Sequence, residues 1–323
     1  MIRGAEAFWL AEPGRGEIRP EQIPEPGPDD VVVRMLHSGI SRGTEMTVFR
    51  GGVPANQHAL MRAPFQEGGF PAPVKYGYLA VGTVEEGALR GRTVFCLHPH
   101  QTRFTVPAAA VTLVPEDVPA ERAILAGTVE TAVNALWDGA PLVGDRVAVV
   151  GGGMVGCAVA AVLAGLPGAR VELVDTDPSR AEVADALGVG FALPVQAAGD
   201  CDLVVHASAT AAGLARSLEL LAPEGEVVEL SWYGDRPVAL PLGEAFHSRR
   251  LTVRSSQVGT VSPRRAGRGH AGRMAVAMRL LADARFDALV TGTCRFVELP
   301  SVLPRMISGE LPGLCIRVSY DGT

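Results

Sequence analysis

The sequence predicts an α/β fold that contains a doubly wound parallel sheet, together with a second domain that is mostly β. Two observations predict the sheet: the apolar run Val147–Val150 leads directly into a glycine-rich turn, and further apolar runs recur at intervals that fit intervening helices. A third observation predicts the second domain: up to about residue 118, prolines such as Pro24, Pro26 and Pro28 bound short strand-like runs.

Composition limits the class of protein. A chain of 323 residues is long enough for two domains, and 47% hydrophobic with 20% charged residues indicates large buried cores. The net charge of −6 argues against a nucleic-acid partner. Residues 1–6 lack the core of a signal peptide, and no apolar run has membrane-spanning length, so we expect a cytoplasmic protein without a membrane partner. The cysteines are odd in number and widely separated, which indicates reduced thiols: Cys96, Cys157, Cys201, Cys294 and Cys315.

Residues 145–175 form the pattern strand, glycine turn, helix, strand, acid. Gly151 permits the tight turn, Gly153 allows a pyrophosphate to approach the backbone, and Gly156 permits close packing of helix on strand. The N–H groups at the helix start would receive the phosphates, as in other helix N-termini. The pattern predicts a dinucleotide site, the Rossmann fingerprint, with a helix at 157–166 and a second strand at 170–174. Met154 and Val155 belong to the glycine motif and are predicted to contact the cofactor, and Asp175 is predicted to accept hydrogen bonds from the adenosine ribose.

The remaining elements follow the same alternation. Apolar runs predict strands at 202–207, 226–231 and 251–258, with a helix at 212–221 between the first two. An amphipathic helix is predicted at 272–283, then a helix at 299–307 and a strand at 314–320. Before the glycine turn, the pattern predicts a helical region at 120–136, preceded by strands at 30–36, 81–85, 93–97 and 103–106.

This order of an N-terminal β domain, a nucleotide domain and a short return segment resembles the medium-chain dehydrogenase/reductase family. Three segments carry the resemblance: Ser38-Gly39-Ile40-Ser41-Arg42-Gly43-Thr44-Glu45, Tyr76-Gly77-Tyr78-Leu79-Ala80-Val81-Gly82, and residues 126–136. The Gly-Thr-Glu and Gly-Tyr elements resemble a zinc-independent branch that includes bacteriochlorophyllide a dehydrogenase. The resemblance implies a discontinuous GroES-like catalytic domain at 1–122 and 261–323, and a Rossmann domain at 123–260.

The positions that resemble the zinc ligands of this family carry other residues. Ser41, Tyr78 and Gly127 stand where the resemblance places the catalytic ligands, and such a set does not suit zinc, which prefers Cys, His and carboxylates. Cys96, His98 and His100 alternate along a predicted strand and could face one way, but a fourth ligand is missing. We therefore expect no metal site.

Without zinc, the reaction needs another group to polarise the substrate oxygen and move a proton. The resemblance makes Tyr78 the first candidate, with Ser41, Glu45 and Lys75 as relay or orienting groups. Two alternatives stay open: Tyr78 only fills the space of the metal, or His98 or His100 acts as the base.

The resemblance also implies cofactor contacts outside the glycine turn. Arg180 matches a position at the adenosine ribose, and Thr131 matches one that packs on the nicotinamide. Residues at strand ends are further candidates, because such folds bind ligands there: Ser208, Trp232 with its neighbour Tyr233, and Gln257. A basic run is predicted to be a solvated loop or an anion-recognition segment: Arg264, Arg265, Arg268, His270 and Arg273.

Together these features predict a zinc-independent, NAD-dependent oxidoreductase that interconverts an alcohol and a carbonyl on a small-molecule substrate, in the cleft that the family places between its domains. Asp175 favours NAD over NADP, because a carboxylate repels a 2′-phosphate. The alternatives are a zinc-free, NADPH-dependent enone or quinone reductase and an inactive nucleotide-binding relative. Residues 251–258 are predicted to form a sheet edge, and the family resemblance implies pairing of such edges in a homodimer.

Overall fold

The computed structural model describes residues 3–321; Met1 and Ile2, which belong to the N-terminal stretch considered above, lie outside the described residues, as do Gly322 and Thr323. The chain divides into two compact units. Unit 1 comprises Met1–Gly127 with Val290–Thr323, and unit 2 comprises Thr128–Leu289.

The strands of the described residues are numbered in chain order. They are β1 (Arg3–Glu12), β2 (Arg15–Ile23), β3 (Asp30–Ser41), β4 (Glu67–Gly68), β5 (Val74–Lys75), β6 (Ala80–Glu86), β7 (Thr93–Cys96), β8 (Arg103–Pro107), β9 (Val111–Leu113), β10 (Arg146–Val150), β11 (Arg170–Val174), β12 (Gly190–Ala192), β13 (Cys201–His206), β14 (Leu221–Glu229), β15 (Thr252–Ser255), β16 (Val290–Arg295) and β17 (Cys315–Ser319).

The helices are numbered in the same way. They are α1 (Thr44–Phe49), α2 (Ala120–Ala123), α3 (Ala126–Gly139), α4 (Met154–Leu163), α5 (Arg180–Leu187), α6 (Ala211–Leu220), α7 (Gly269–Leu280) and α8 (Leu299–Ser308). Shorter helical turns lie at Ala55–Gln57, Ala108–Ala110, Leu242–Phe246, Pro263–Arg268, Ala284–Leu289 and Phe296–Glu298. Among the helices of residues 3–321, none combines the length and apolar character that crossing a bilayer requires.

Unit 1 is built from two largely antiparallel sheets. One has the order β2-β1-β5-β4, and the other has the order β16-β17-β3-β6-β7-β9, with β8 also paired to β3. The return segment completes the second sheet, because β17 pairs with β3 so that Cys315 lies opposite Ser41 and Ser319 opposite His37. The buried faces of β3 and β6 supply much of the core, and Val31, Val32 and Val33 are all fully buried.

Unit 2 contains one six-stranded parallel sheet in the order β12-β11-β10-β13-β14-β15. Strand β10 lies in the interior of this sheet, and all of its buried residues are apolar, as expected for a strand that is covered on both faces. The register aligns the strand ends: Val150 pairs with Val174 and with His206, and His206 pairs with Glu229. The residues that follow these strands therefore gather at the carboxyl edge, where folds of this type bind ligands.

The doubly wound parallel sheet and the mostly β unit confirm the predicted fold class. The structure differs in some boundaries. Residues 261–289 belong to unit 2 rather than to the return segment, which begins at Val290. The predicted helical region 120–136 is two helices, α2 and α3, with residues 124 and 125 between them.

The prediction that a strand aligns Cys96, His98 and His100 is wrong. Strand β7 ends at Cys96, and residues 97–99 have no regular secondary structure. Pro99 explains the early end, because proline cannot donate to the hydrogen-bond ladder of a strand.

Candidate active site

The glycine turn after β10 has the shape that its sequence predicts. Gly151 has φ = +110°, and a Cβ there would lie 2.6 Å from the backbone nitrogen of Ser208. A Cβ at Gly156 would overlap the carbonyl oxygen of Gly151, so α4 packs against the turn in a way that only glycine allows. At Gly153, by contrast, a Cβ would meet no atom within 4 Å. The turn thus leaves its backbone open at Gly153 while it is tightly packed on either side.

Helix α4 starts directly at this opening. Gly153 is its N-cap residue, and the first intrahelical hydrogen bond runs from the N–H of Cys157 to the carbonyl of Gly153 at 2.9 Å. The N–H groups of Met154, Val155 and Gly156 belong to the first turn, which has no intrahelical acceptors for them. Together with the helix dipole, these donors fit a phosphate group.

Asp175 follows β11 and is fixed against the glycine turn. Its Oδ2 accepts a hydrogen bond from the N–H of Gly152 at 2.5 Å, and its Oδ1 accepts one from the N–H of Asp177 at 2.8 Å. A carboxylate has lone pairs for further donors, so ribose hydroxyls can still bind. Arg180, the first residue of α5, lies beside the carboxylates of Asp175 and Asp177, and its Nη2 is 3.5 Å from Asp177 Oδ2.

On the other side of the glycine turn, a polar cluster occupies the ends of β13 and β14. The buried imidazole of His206 contacts the Glu229 Oε2 through Nδ1 at 2.7 Å and the Ser208 Oγ through Nε2 at 2.7 Å. Ser208 Oγ also lies 2.9 Å from Thr210 Oγ1. The phenol of Tyr233 donates to Glu229 at 3.0 Å. Ser208 is therefore part of a continuous hydrogen-bonded chain that runs from Tyr233 to Thr210.

The charges in this cluster follow from its contacts. Burial alone would raise the pKa of the Glu229 carboxyl, but hydrogen bonds from His206 and Ser231 and the charge of His206 lower this pKa below its usual range. Burial and the neighbouring Glu229 raise the pKa of Tyr233, which therefore stays a neutral phenol. Glu229 is thus an ionised acceptor surrounded by donors.

The other predicted cofactor residues of unit 2 lie in different surroundings. Thr131 is half-buried on α3, and Trp232 is half-buried after β14. Gln257 is exposed, and its Oε1 accepts a hydrogen bond from the N–H of Gly259 at 2.6 Å.

The basic run is divided between two environments. Arg264, Arg265 and Arg268 are exposed, which agrees with a solvated loop. Arg273 is fully buried, with its Nε 3.0 Å from Glu130 and its Nη1 2.7 Å from Asn134 of α3. Arg273 therefore fastens α7 to α3, and as an internal ion-pair partner it is a poor candidate for anion recognition.

Unit 1 contains a second polar cluster, centred on His100. Its imidazole contacts the Glu45 Oε2 through Nε2 at 2.9 Å and the Ser38 Oγ through Nδ1 at 2.7 Å. Glu45 Oε1 accepts the N–H of Ser41 at 2.8 Å, and Ser38 Oγ lies 2.9 Å from the phenol of Tyr320. Both His100 and Glu45 are buried. The dielectric constant of a protein interior is low, so hydrogen bonds between these groups are stronger than they would be in water.

Tyr78 adjoins this cluster. Burial and the Glu45 carboxylate raise the pKa of its phenol, while hydrogen bonds with the side chains of Ser41 and Thr44 act in the opposite direction and are outweighed. The phenol is thus held in its neutral, proton-donating form. Within residues 3–321, none of the groups that shift this pKa is a cation.

Lys75 lies in a different cluster from Tyr78. Its Nζ is 2.8 Å from Gln101 Oε1 and 2.5 Å from Glu67 Oε1, and it sits 5.8 Å from the centre of the Trp9 ring. The side chain is buried, so these partners hold it inside the small sheet formed by β1, β2, β4 and β5. These contacts suit a structural cation better than a relay group.

His98 is also separate from the His100 cluster. Its ring stacks on Phe104 with centroids 3.8 Å apart, and its Nδ1 lies 3.0 Å from the carbonyl oxygen of Pro99. Burial lowers the pKa of His98 to about 3, and the charges of Lys75 and His100 act in the same direction. Such an imidazole is neutral and a weak base at pH 7.

Comparison with known proteins identifies the fold. No protein-family model matches the chain. Over 67 residues it is 42% identical to 2-desacetyl-2-hydroxyethyl bacteriochlorophyllide A dehydrogenase of Cereibacter sphaeroides, a match that spans 21% of this chain and 18% of that protein. The structure matches a short chain alcohol dehydrogenase from E. coli CFT073, complexed with NADH, with a TM-score of 0.79 and 17% identity over 98% of this chain and 99% of that one.

A second solved structure agrees over its entire length. A putative zinc-binding dehydrogenase from Sinorhizobium meliloti 1021, bound to NADP, has a TM-score of 0.79 and 17% identity over 98% of this chain and 100% of that one. The chain has the medium-chain dehydrogenase/reductase fold.

The family resemblance implies that the ligands of a catalytic metal would stand at the positions of Ser41, Tyr78 and Gly127. A hydroxyl, a phenol and a glycine are not a zinc donor set. The residues present therefore do not fit this metal. Within residues 3–321, no group of three or more His, Cys, Asp or Glu side chains is arranged to hold a metal ion elsewhere.

Two pairs of interacting side chains are missing from the predictions made on the sequence alone. His206 and Glu229 were treated only as parts of strands, although a histidine and a glutamate as last residues of neighbouring apolar parallel strands are a detectable signal. The pairing of His100 with Glu45 was also missed, because 55 residues separate them. Of the four predicted catalytic residues, Ser41, Glu45 and Tyr78 come together and Lys75 does not.

Proposed function

We propose that this protein is an NAD-dependent oxidoreductase that interconverts an alcohol and a carbonyl on a small organic molecule without zinc. The observation that carries the proposal is the glycine turn, with its backbone open at Gly153 and with the Asp175 carboxylate fixed on the N–H of Gly152. That arrangement fits a pyrophosphate beside a ribose. The dehydrogenase fold and the alcohol dehydrogenase found with NADH support the same class of reaction.

Residues of unit 2 would hold the cofactor. The N–H groups of Met154 and Val155 bind phosphate oxygens at the start of α4, and Asp175 accepts hydrogen bonds from the adenosine ribose. Arg180 lies at the same ribose. When bound, the nicotinamide ring would accept or donate the hydride.

Asp175 also favours NAD over NADP. A 2′-phosphate on the ribose would come close to the Asp175 carboxylate, with a second carboxylate, Asp177, next to it. Arg180 is the basic residue beside them, and it is already turned to Asp177. Repulsion by two carboxylates therefore outweighs attraction by one guanidinium.

Tyr78 handles the proton in this proposal. In the direction of carbonyl reduction, its neutral phenol donates to the oxygen as negative charge develops there. The raised pKa of the phenol makes a free tyrosinate costly, so the hydroxyls of Ser41 and Thr44 stabilise the phenolate as it forms. Glu45 orients this group through the N–H of Ser41 and is held in turn by His100. Lys75 has no part in it.

The substrate class rests on the relative's name. The bacteriochlorophyllide dehydrogenase is named for a substrate that carries a hydroxyethyl group. We therefore propose small or ring-bound secondary alcohols and the corresponding ketones as the first substrates to test.

The decisive experiment measures hydride transfer. Purified protein is incubated with secondary alcohols and NAD⁺, and with ketones and NADH, and the absorbance of the reduced nicotinamide is followed. We expect turnover that survives dialysis against a chelator, in protein without stoichiometric zinc by elemental analysis. One zinc per chain, with activity that the chelator abolishes, would contradict the zinc-independent reaction. Cofactor binding without turnover on any substrate would favour an inactive relative.

Cofactor preference is tested by one double variant. The unmodified protein should bind NADH more tightly than NADPH by about tenfold or more, which corresponds to about 1.4 kcal/mol. In Asp175→Ser/Thr176→Arg, the repulsive carboxylate is lost and a cation is gained, so the preference should narrow or reverse. Equal affinities in the unmodified protein would show that Asp175 does not select, and turnover of enones with NADPH would support a reductase instead.

A further inference from the structure

Four buried side chains of unit 1 are joined in a row by hydrogen bonds. The phenol oxygen of Tyr320 lies 2.9 Å from Ser38 Oγ, which in turn lies 2.7 Å from His100 Nδ1. On the other side of the imidazole ring, His100 Nε2 lies 2.9 Å from Glu45 Oε2. All four residues are at most 5% exposed. We call them the Tyr320–Glu45 network, which joins β3 to α1 and to the segments that follow β7 and β17.

The outer end of the network is Tyr320, which lines a depression of about 290 Å³ in the surface of unit 1 together with Met35, Thr102 and Arg103. Its ring is fixed by stacking on Phe296, with the ring centroids 4.9 Å apart. Burial raises the pKa of its phenol, so Tyr320 stays protonated at neutral pH. It therefore passes on a proton only by accepting another one at the same time.

The inner end of the network, Glu45, adjoins Tyr78. Glu45 Oε1 accepts a hydrogen bond from the N–H of Ser41 at 2.8 Å, and the hydroxyl of Ser41 hydrogen-bonds with the phenol of Tyr78. The ring of His100 packs against the same segment, because a Cβ at Gly77 would lie 3.0 Å from His100 Cδ2. The network thus ends beside the side chain to which the proposed reaction assigns the proton.

Each hydrogen bond of the network can hold its proton on either atom. A hydroxyl both donates and accepts, and an imidazole carries its proton on one nitrogen or on the other. When a proton enters at Tyr320 while another passes from His100 to Glu45, all three hydrogen bonds persist with donor and acceptor exchanged. The geometry is therefore that of a proton path.

The proposed reaction needs such a path in every turnover. When a ketone is reduced, its carbonyl carbon receives the hydride of NADH, the π electrons of the C=O bond move to the oxygen, and the oxygen takes the proton of Tyr78. Ketone, NADH and one proton from water thus give alcohol and NAD⁺. The phenolate of Tyr78 must regain a proton before the next turnover, and the raised pKa of this phenol makes that uptake favourable.

We propose that the Tyr320–Glu45 network carries this proton from the surface depression to Tyr78, and carries it back to the solvent when an alcohol is oxidised. The last step uses Ser41, whose hydroxyl takes the proton from Glu45 and gives its own to Tyr78. Tyr320 and Ser38 act through Tyr78, so they are positioning residues for the proton rather than catalytic residues. This inference rests on the proposed function, because it assumes that Tyr78 supplies the proton.

The first test measures proton movement without a substrate. In protein labelled with ¹⁵N-histidine, NMR follows the exchange of the His100 ring proton with water, and His100→Gln assigns the signal. We expect this exchange to be about tenfold slower or more in Tyr320→Phe, because the ring stays on Phe296 while the hydroxyl that joins the network to the depression is lost. The matched control is Ser319→Ala, which removes a hydroxyl of β17 that donates to the Cys294 carbonyl oxygen outside the network. Its exchange should equal that of the unmodified protein.

The second test follows the hydride and the proton separately. Protein with NADH is mixed with acetophenone in weak buffer in a stopped-flow instrument, where the loss of NADH absorbance reports hydride transfer and a pH-indicator dye reports proton uptake. In the unmodified protein the two signals should proceed together. In Tyr320→Phe and Ser38→Ala the first hydride transfer should keep its rate, because Tyr78 already holds a proton, whereas proton uptake should be about tenfold slower or more. A purely structural role of these hydroxyls would change both signals alike.

Each outcome decides the proposal. Exchange and proton uptake at the unmodified rates in both variants overturn it, and so does a delay that Ser319→Ala shows equally. Thermal unfolding verifies that each variant is folded, and if Ser38→Ala is not, Tyr320→Phe decides alone. If the unmodified protein reduces no ketone, the proposed function fails and the role of the network in turnover fails with it, while slowed exchange in Tyr320→Phe still establishes the proton path. If ketones are reduced and only the delay is absent, this inference alone fails.

Discussion

Tyr78 is the side chain to which the proposed reaction assigns the proton transfer. Its phenol adjoins Ser41 and Thr44, and burial together with Glu45 raises its pKa. A phenol with a raised pKa stays protonated at neutral pH, so its proton is available to a substrate oxygen while the phenol itself does not act as a base. Lys75, predicted as a relay or orienting group, lies with Gln101 and Glu67 instead, so the proposal uses the phenol of Tyr78 as a donor without it.

Replacing Tyr78 by phenylalanine removes only the hydroxyl. We expect Tyr78→Phe to keep the fold and the NADH affinity while turnover falls roughly 100-fold, the usual contribution of a positioned general acid. The control is Tyr76→Phe, because Tyr76 touches Tyr78 edge-on with ring centres 6.0 Å apart. Near-normal turnover in Tyr78→Phe would mean that the ring only fills space and that His100 or water moves the proton.

His98 predicts how the stability of the protein depends on pH. Burial is the main reason that its pKa is lowered to about 3 from the ordinary value of 6.5, so between these two pH values the unfolded chain binds a proton and the folded chain does not. Stability therefore falls as the pH drops below 6.5, by about 2 kcal/mol between pH 7 and pH 5 for this one group. In His98→Gln, the change in the free energy of unfolding between pH 7 and pH 5, measured with urea, should be smaller by about 2 kcal/mol. The control is His270→Gln, which measures the effect of removing an exposed imidazole. An unchanged difference in His98→Gln would contradict the burial of a neutral ring.

At the residue scale, the sequence predicted what lies next to a motif and missed what depends on distant pairing. Gly151, Gly153 and Gly156 have the geometry that their spacing predicts, because a local turn determines it. Glu45 and His100 meet only because α1 and the segment after β7 fold onto one another. Lys75 was expected near Tyr78 for its closeness in sequence, yet the fold turns it to Gln101 and Glu67.

At the scale of elements, two glycines of the turn before α4 are expected to differ in effect: Gly156 in stability and Gly153 in cofactor binding. A methyl group at Gly156 would overlap the Gly151 carbonyl, so Gly156→Ala should destabilise the protein by about 2 kcal/mol. A methyl group at Gly153 meets no atom within 4 Å, so Gly153→Ala should keep the melting temperature but weaken NADH binding by about tenfold, because it occupies the approach of the pyrophosphate. Thermal unfolding and a fluorescence titration test both. Normal binding in a stable Gly153→Ala protein would place the phosphates elsewhere.

The parallel strands were the most predictable elements. Strand β11 has the predicted bounds, and β10, β13 and β14 lie where apolar runs indicate them, because strands buried on both faces leave a continuous apolar signal. Element ends were less predictable. Helix α4 begins at Met154 rather than at 157, because its first turn belongs to the glycine motif, and β7 stops short of His98.

At the scale of the whole molecule, the sequence predicted two units but set one boundary too early. The basic residues near 264–273 suggested a solvated return segment, and Arg264, Arg265 and Arg268 are indeed exposed. Arg273 differs, since it pairs with Glu130, 143 residues earlier in the chain, and ties α7 to unit 2. A buried partner at such a distance leaves no trace in local sequence.

The edge of the parallel sheet predicts the assembly. Strand β15 is an end strand of the sheet, with Thr252, Val253 and Ser255 exposed, and an open edge with an exposed apolar residue invites pairing with a second copy. We expect a homodimer in which two such edges join about a twofold axis, as the family resemblance implies. Light scattering after size-exclusion chromatography at micromolar concentration should give twice the chain mass. Val253→Lys should shift the protein to monomer, whereas Val195→Lys, at a more exposed valine beyond the opposite edge strand β12, should stay dimeric. A monomeric unmodified protein would contradict the prediction, and a dimer that only Val195→Lys disrupts would assign the interface to the other edge.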